Sequence, residues 1–167
     1  MRAAHLAFGR FAGGRPIALQ AASYVYIGSA MGNAGASSLA SRLLRHAARC
    51  NGRPPHALRA LLLKHFIEHG LCGPTQSKRI PSKTLHWNVD YLLDHPSACL
   101  RAAYLLYADA PLERALSALL ADDPHCVAFA RGLGAGDAPG QTHLLRVDAT
   151  ASWWNALPSR LCTAYYP

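Results

Sequence analysis

The 167-residue chain is 51% hydrophobic and 16% charged, a balance that excludes a disordered polyelectrolyte and is long enough to bury a real core. Seventeen Lys and Arg against nine Asp and Glu give a formal charge of +8, which points to a polyanionic partner, nucleic acid before a membrane surface. No apolar run approaches the roughly 20 residues that span a bilayer, no signal-peptide core follows the N-terminus, and the five cysteines form no CxxC pair. A cytoplasmic protein with reduced thiols and no membrane contact is the expectation.

In chain order, residues 5–8 read as a short strand, 13–16 as a turn and 17–19 as a second strand, a small N-terminal hairpin or meander. Ser23-Tyr24-Val25-Tyr26-Ile27-Gly28-Ser29-Ala30 is a β-branched and aromatic run. Alternation places Val25 and Ile27 toward a core and Tyr24 and Tyr26 on the opposite face, beside a glycine that permits close approach to the backbone. A small-residue loop follows, and Ser37 or Ser38 caps a helix whose stripe is Leu39, Leu43 and Ala47. Arg42 and His46 share a neighbouring face of that helix, and Arg45 and Arg49 add charge to it. Asn51 to Pro55 ends it.

The pattern Leu58, Leu61, Leu62, His65, Phe66, His69 predicts a second helix over 56–70. A basic loop with Lys78, Arg79 and Lys83 comes next, then 85–93, stopped by Asp94-His95-Pro96. Residues 99–107 read as a strand, with a helix as the alternative. Pro111 opens a helix with the stripe Leu112, Ala115, Leu116, Leu119 and Leu120, stopped by Asp122-Asp123-Pro124. A glycine-rich loop at 131–140 precedes a closing strand over 142–147. The tail carries Trp153, Trp154, Tyr165 and Tyr166, suited either to packing back onto the domain or to stacking on bases.

The run Tyr24-Val25-Tyr26-Ile27-Gly28, the loop after it and the helix bearing Arg42 and His46 resemble the GIY-YIG nuclease superfamily. His86-Trp87-Asn88-Val89-Asp90-Tyr91-Leu92 resembles the His-Trp-His-Ile-Asp-Tyr-Leu motif of one little-characterised branch. Glu113, Gly134 to Asp137 and His143-Leu144 match its later motifs, in order, so the likeness runs from about residue 9 to 147.

The resemblance implies a single α+β (α/β) domain over 1–167, built on a central three-stranded antiparallel sheet flanked by helices. Residues 51–83 would be a helical, basic insertion and 150–167 an aromatic tail. It further implies a metal-dependent endonuclease that hydrolyses phosphodiester bonds, on DNA in preference to RNA, with Mg²⁺ or Mn²⁺ as cofactor. Carried over residue by residue, Tyr26 activates water, Arg42 stabilises phosphate charge with help from His46, and Glu113 holds the metal. The superfamily's first Gly-Ile-Tyr strand has no literal counterpart: either the start is truncated, or Tyr24 replaces its phenol, or catalysis is lost, leaving a nucleic-acid-binding module. Arg45, Arg49, Lys78, Arg79 and Lys83 are expected to grip nucleic acid, and Gly28, His86, Asp90, Asp137 and His143 to support the site. Zinc bound by His65, His69 and Cys72 with Cys50 or His56 is a separate reading. The oligomeric state is left open.

Overall fold

The structure is a computed structural model that describes residues 4–73, 83–133 and 142–166. Lys78, Arg79 and Asp137 lie outside the described residues. The chain divides into two compact units, both discontinuous: Met1–Leu19 with Ala30–Ala102, and Gln20–Ser29 with Ala103–Pro167.

In the first unit, β1 (Ala4–Leu6) pairs antiparallel with β2 (Ile17–Leu19), His5 opposite Ala18, which is the expected hairpin. Phe8 is buried beyond β1, and Gly9 follows with φ +57; a Cβ there would come within 2.7 Å of the Tyr91 hydroxyl, so both the backbone angle and the close approach call for glycine. Helix α1 (Leu39–His46) begins at Ser38, whose hydroxyl accepts the Ser41 N–H. Its deepest residues are Ala40 and Leu44, followed by Ala47 and Ala48, so the buried stripe lies one position beyond the expected Leu39 and Leu43, which are half-buried flanks. Helix α2 (Leu58–Glu68) packs on α1 through Leu62 and Phe66, while Leu61, His65 and His69 of the expected stripe are exposed. Helix α3 (Asn88–Asp94) buries Val89, Leu92 and Leu93.

One buried charge ties these pieces together. The Asp90 side chain is fully buried and accepts from His46 Nδ1 (3.0 Å), Arg45 (2.8 Å) and the backbone N–H groups of His86 and Trp87 (3.1 and 2.9 Å), with Lys83 Nζ 3.4 Å away. The Trp87 bond is half of a capping box, an acid in the first turn receiving the N-cap N–H. Burial alone would raise the Asp90 pKa; the His46 and Trp87 hydrogen bonds and the Lys83 charge override it and hold the carboxyl well below its ordinary range. A turn further on, Asp94 accepts the Cys50 N–H and pairs with Arg53, so it too is depressed against the opposing effect of burial.

In the second unit, β3 (Ser23–Tyr26), β5 (Leu144–Val147) and β4 (Cys126–Ala128) form a three-stranded antiparallel sheet in the order β3-β5-β4. Tyr26 stands opposite Leu144 and Cys126 opposite Val147. The predicted closing strand is thus the middle one, with Leu144, Leu145 and Val147 all buried. Helices α4 (Glu113–Ala121) and α5 (Ala151–Tyr165) complete the unit, and its core joins Ile27, Leu120, Leu145, Val147, Trp153, Leu157 and Leu161, with Val25 against it. The expected α+β class and the inward placement of Val25 and Ile27 both hold.

Two readings of this part are corrected, and the packing back of the tail holds. Residues 99–107 form no strand; every third residue, Leu100, Ala103 and Leu106, is half-buried, a spacing that fits neither a strand nor a helix. The strand that takes the place in the sheet is β4, too short to show a pattern in the sequence. On α4, Ala115 is exposed and Ser117 is buried in its stead. The tail is a helix and packs back: Trp153 is in the core, where its indole N–H donates to Asp123 (2.9 Å), which also binds Arg160 (2.7 Å). Burial keeps Trp153 from stacking on bases.

Asp90 sets an acid limit on stability. A depressed carboxyl contributes stability that is complete above the unfolded pKa near ~4 and is lost as pH falls toward the folded value. Asp94 and Asp123, depressed likewise, act in the same direction. The melting temperature is therefore expected to fall steadily below about pH 5. Asp90→Asn should cost about 3–5 kcal/mol at pH 7 and flatten that acid limb; an unchanged limb in the variant would assign it elsewhere.

Candidate functional site

At the end of β3 the chain turns out of the sheet, and Ile27 N–H is still held by His143 O (2.9 Å). Here the Tyr26 ring folds forward over Gly28: a Cβ on Gly28 would meet the ring at 3.0 Å and the phenol oxygen at 3.2 Å. Glycine at this position is what lets the phenol lie there. The next residue, Ser29, donates both its N–H (3.2 Å) and its hydroxyl (2.8 Å) to Glu113 Oε2. Glu113 is the first residue of α4, where the positive end of the helix dipole favours a carboxylate. Its other oxygen, Oε1, faces His143 Nε2 at 3.4 Å, and His143 Nδ1 bonds the Ser117 hydroxyl at 2.9 Å. A phenol, a half-buried carboxylate and a serine hydroxyl are thus gathered within three residues of one strand end.

The structure keeps Tyr24 apart from this group. Its hydroxyl donates back to Gln20 O (2.9 Å) and its ring stands edge-on to Phe129 at 5.4 Å. Burial raises the Tyr24 pKa, against the lowering effects of the Gln20 bond and Arg146. The two phenols share a face of β3, as alternation predicts, but reach in opposite directions along it, Tyr24 back to Gln20 and Tyr26 forward over Gly28.

The other assigned residues belong to the first unit. Arg42 places its guanidinium 4.6 Å from the centre of the Trp87 ring, and His86 stands edge-on to the same ring at 4.9 Å. Cation–π attraction holds Arg42 without consuming its N–H donors, and among the described residues it forms no ion pair. His46 is buried and bound to Asp90.

Three of the cations expected to grip nucleic acid do something else. Lys83 is buried, donates to Ala48 O (3.0 Å) and faces Asp90; burial lowers its pKa while Asp90 opposes the shift. Arg45 binds Asp90 and Thr84 O, and Arg49 binds the carbonyls of Pro96 and Ala98. These side chains hold α1 to the segments around α3. Asp90 is the centre of that network, and His143 Nε2 stands 3.4 Å from Glu113. Ser29 and Ser117 went unassigned, although Ser117 stands four residues after Glu113 on the same helix, the spacing that brings side chains together.

The donor set at Glu113 suits a small hard cation. Mg²⁺ is commonly held by one or two carboxylates with waters completing the shell, and the Glu113 side chain keeps 19% of its surface exposed. Zinc is a different matter. Among the described residues no three His, Cys, Asp or Glu side chains gather to hold a metal, so His65, His69 and Cys72 do not form the site their spacing suggested. His65 and His69 stack on each other at 4.1 Å instead, and all five cysteines are free thiols.

Fold and site together define a small α+β protein in which the residues just past one strand end place a phenol over a glycine and bind a carboxylate. The chain belongs to the family described as Domain of unknown function DUF123, whose model matches residues 2–163. Neither a search of curated proteins nor one of solved structures finds a match. Among the described residues no helix is long and apolar enough to cross a membrane.

Two outcomes follow from this geometry. Gly28→Ala should displace the Tyr26 ring, seen as shifted ring resonances in NMR spectra, at a cost of about 1–3 kcal/mol from overpacking; unmoved resonances would contradict the contact. Lys83→Ala should lower the unfolding midpoint yet leave the salt dependence of any nucleic-acid binding unchanged, because a buried ammonium neutralises no phosphate.

Proposed function

We infer that the protein is a metal-dependent endonuclease that hydrolyses phosphodiester bonds, with DNA as the preferred substrate. The observation that supports it most is the placement of the Tyr26 phenol over Gly28 while Ser29 holds the Glu113 carboxylate. It matches the roles that the GIY-YIG resemblance gives to these residues.

In this reading Glu113 holds Mg²⁺ or Mn²⁺, which when bound supplies Lewis-acid help to a phosphate oxygen. Tyr26 orients the attacking water through its phenol oxygen, with Gly28 leaving the ring the space to do so. Negative charge grows on the non-bridging oxygens as the water oxygen bonds to phosphorus, gives up a proton to solvent, and the phosphorus bond to one sugar oxygen breaks, that oxygen leaving to take a proton from solvent. The Arg42 guanidinium neutralises that charge with a planar pair of N–H donors. His46, locked on Asp90, holds α1 to α3 and so fixes the helix that carries Arg42. Folding in a reducing, intracellular compartment accords with five free thiols.

The non-catalytic alternative draws support from Tyr24, whose hydroxyl is tied to Gln20. Cleavage assays on single-stranded, duplex and branched DNA and on RNA, with Mg²⁺ or Mn²⁺, separate the two. Metal-dependent cutting is expected, and Arg42→Ala or Glu113→Ala should each lower it by about 10²-fold or more while thermal unfolding stays cooperative. Salt-sensitive binding with no cleavage of any substrate selects the binding module instead.

A further inference from the structure

We propose that Trp87 is a positioning residue for Arg42, its ring holding the guanidinium in place for a phosphate of the nucleic acid without cancelling the charge that binds it. This deepens the reading of Arg42 as the cation that meets the phosphate and rests on it.

Arg42 is half-buried on α1, with its Cζ 4.6 Å from the centre of the Trp87 ring. An arginine has a long side chain, and ordering it at the moment of binding costs affinity, so a site gains when the side chain is held beforehand. A carboxylate could hold it, but would take N–H donors that a phosphate needs and neutralise the charge. Arg45 and Arg49 illustrate that outcome, one bound to Asp90 and Thr84 O, the other to the carbonyls of Pro96 and Ala98. An indole is neutral. It attracts a guanidinium through its ring quadrupole, more strongly than the other aromatic side chains do, and leaves the net charge intact. Among the described residues Arg42 forms no ion pair.

The ring has its own support. Trp87 is the N-cap of α3, its backbone N–H donates to Asp90 (2.9 Å), and His86 stands edge-on to the indole at 4.9 Å. The same carboxylate accepts from Arg45 and His46, which lie one turn beyond Arg42 on α1. Asp90 therefore locates both partners, the helix that carries the cation and the residue that carries the ring. Mere filling of space would be met by any apolar side chain of similar size. Positioning requires a π face, and that difference is testable.

In protein labelled with ¹⁵N-arginine, the Arg42 Nε–H resonance should lie upfield of the other arginines through the indole ring current. An unshifted resonance in the wild type overturns the proposal without any variant. Binding of a fluorescently labelled DNA duplex, without divalent metal and across a series of salt concentrations, then reads phosphate contact in the absence of cleavage. Arg42→Ala should weaken binding about 10-fold or more and lower the slope of log affinity against log salt by about 1. Trp87→Leu should weaken binding about 3–10-fold, and Trp87→Phe, which keeps a π face, should restore most of that loss. In an Arg42→Ala background, Trp87→Leu should cost nothing further, because Trp87 acts through Arg42. A full Trp87→Leu loss in that background, or no rescue by Trp87→Phe, assigns Trp87 to the fold or to direct contact and overturns the positioning role. Wild-type affinity in Trp87→Leu, where Arg42→Ala weakens binding, also overturns that role alone. Unchanged affinity and slope in Arg42→Ala, or no duplex binding by the wild type, overturns the reading of Arg42 beneath it.

Discussion

A carboxylate taken wholly out of water is the constraint on which the first unit depends. Removing such an ion from water costs several kcal/mol even after relaxation, and only dense pairing offsets it. Asp90, on α3, meets that demand with three side chains and two backbone N–H groups drawn from α1 and the segment 83–87. Removing any one donor leaves the rest to carry a buried charge, so these pieces must come together as a set. An apolar residue of similar size could pack there but could not specify the same partners. The network thus sets which face of α1 turns inward, and with it the face on which Arg42 meets Trp87.

Glu113 makes an instructive contrast in the second unit. It too is gripped by neighbours, yet its donors are fewer and its side chain keeps some exposure. Asp90 has its acceptor capacity filled from within the protein. Glu113 retains some, at a helix N-terminus beside a phenol. Both side chains are acids, but solvent access separates a group that organises the fold from one able to meet a ligand.

Much of the fold was legible because its signals are local. The hairpin, β3, α1, α2, α4 and β5 follow from alternation, caps and stripes read over a few residues. The sites of failure share a physical cause. Residues 126–128 become a strand only because β5 offers a pairing edge, and 99–107 lack the partner that their apolar content invited. Ser117 escaped notice because a buried polar residue reads as a surface one until its partner, His143, is placed. Lys83, Arg45 and Arg49 failed similarly: a cation in a sequence looks the same whether it faces water or a buried acid. At Gly28 the glycine was expected to open the backbone to close approach, and the space a side chain would occupy is taken by the Tyr26 ring, a contact that depends on the ring's rotamer and not on spacing.

The internal use of cations also changes what the chain's basicity means. Asp90 draws Arg45 and Lys83 together, Asp94 draws Arg53, and Asp123 draws Arg160. One acid that needs two bases raises net charge without creating a surface for a polyanion. Part of the +8 is therefore a by-product of burying carboxylates in a chain with only nine of them. Charge alone then argues less for nucleic acid than its size suggests. Chemistry at one strand end carries more weight, where a phenol lies over a glycine and the next serine binds a carboxylate.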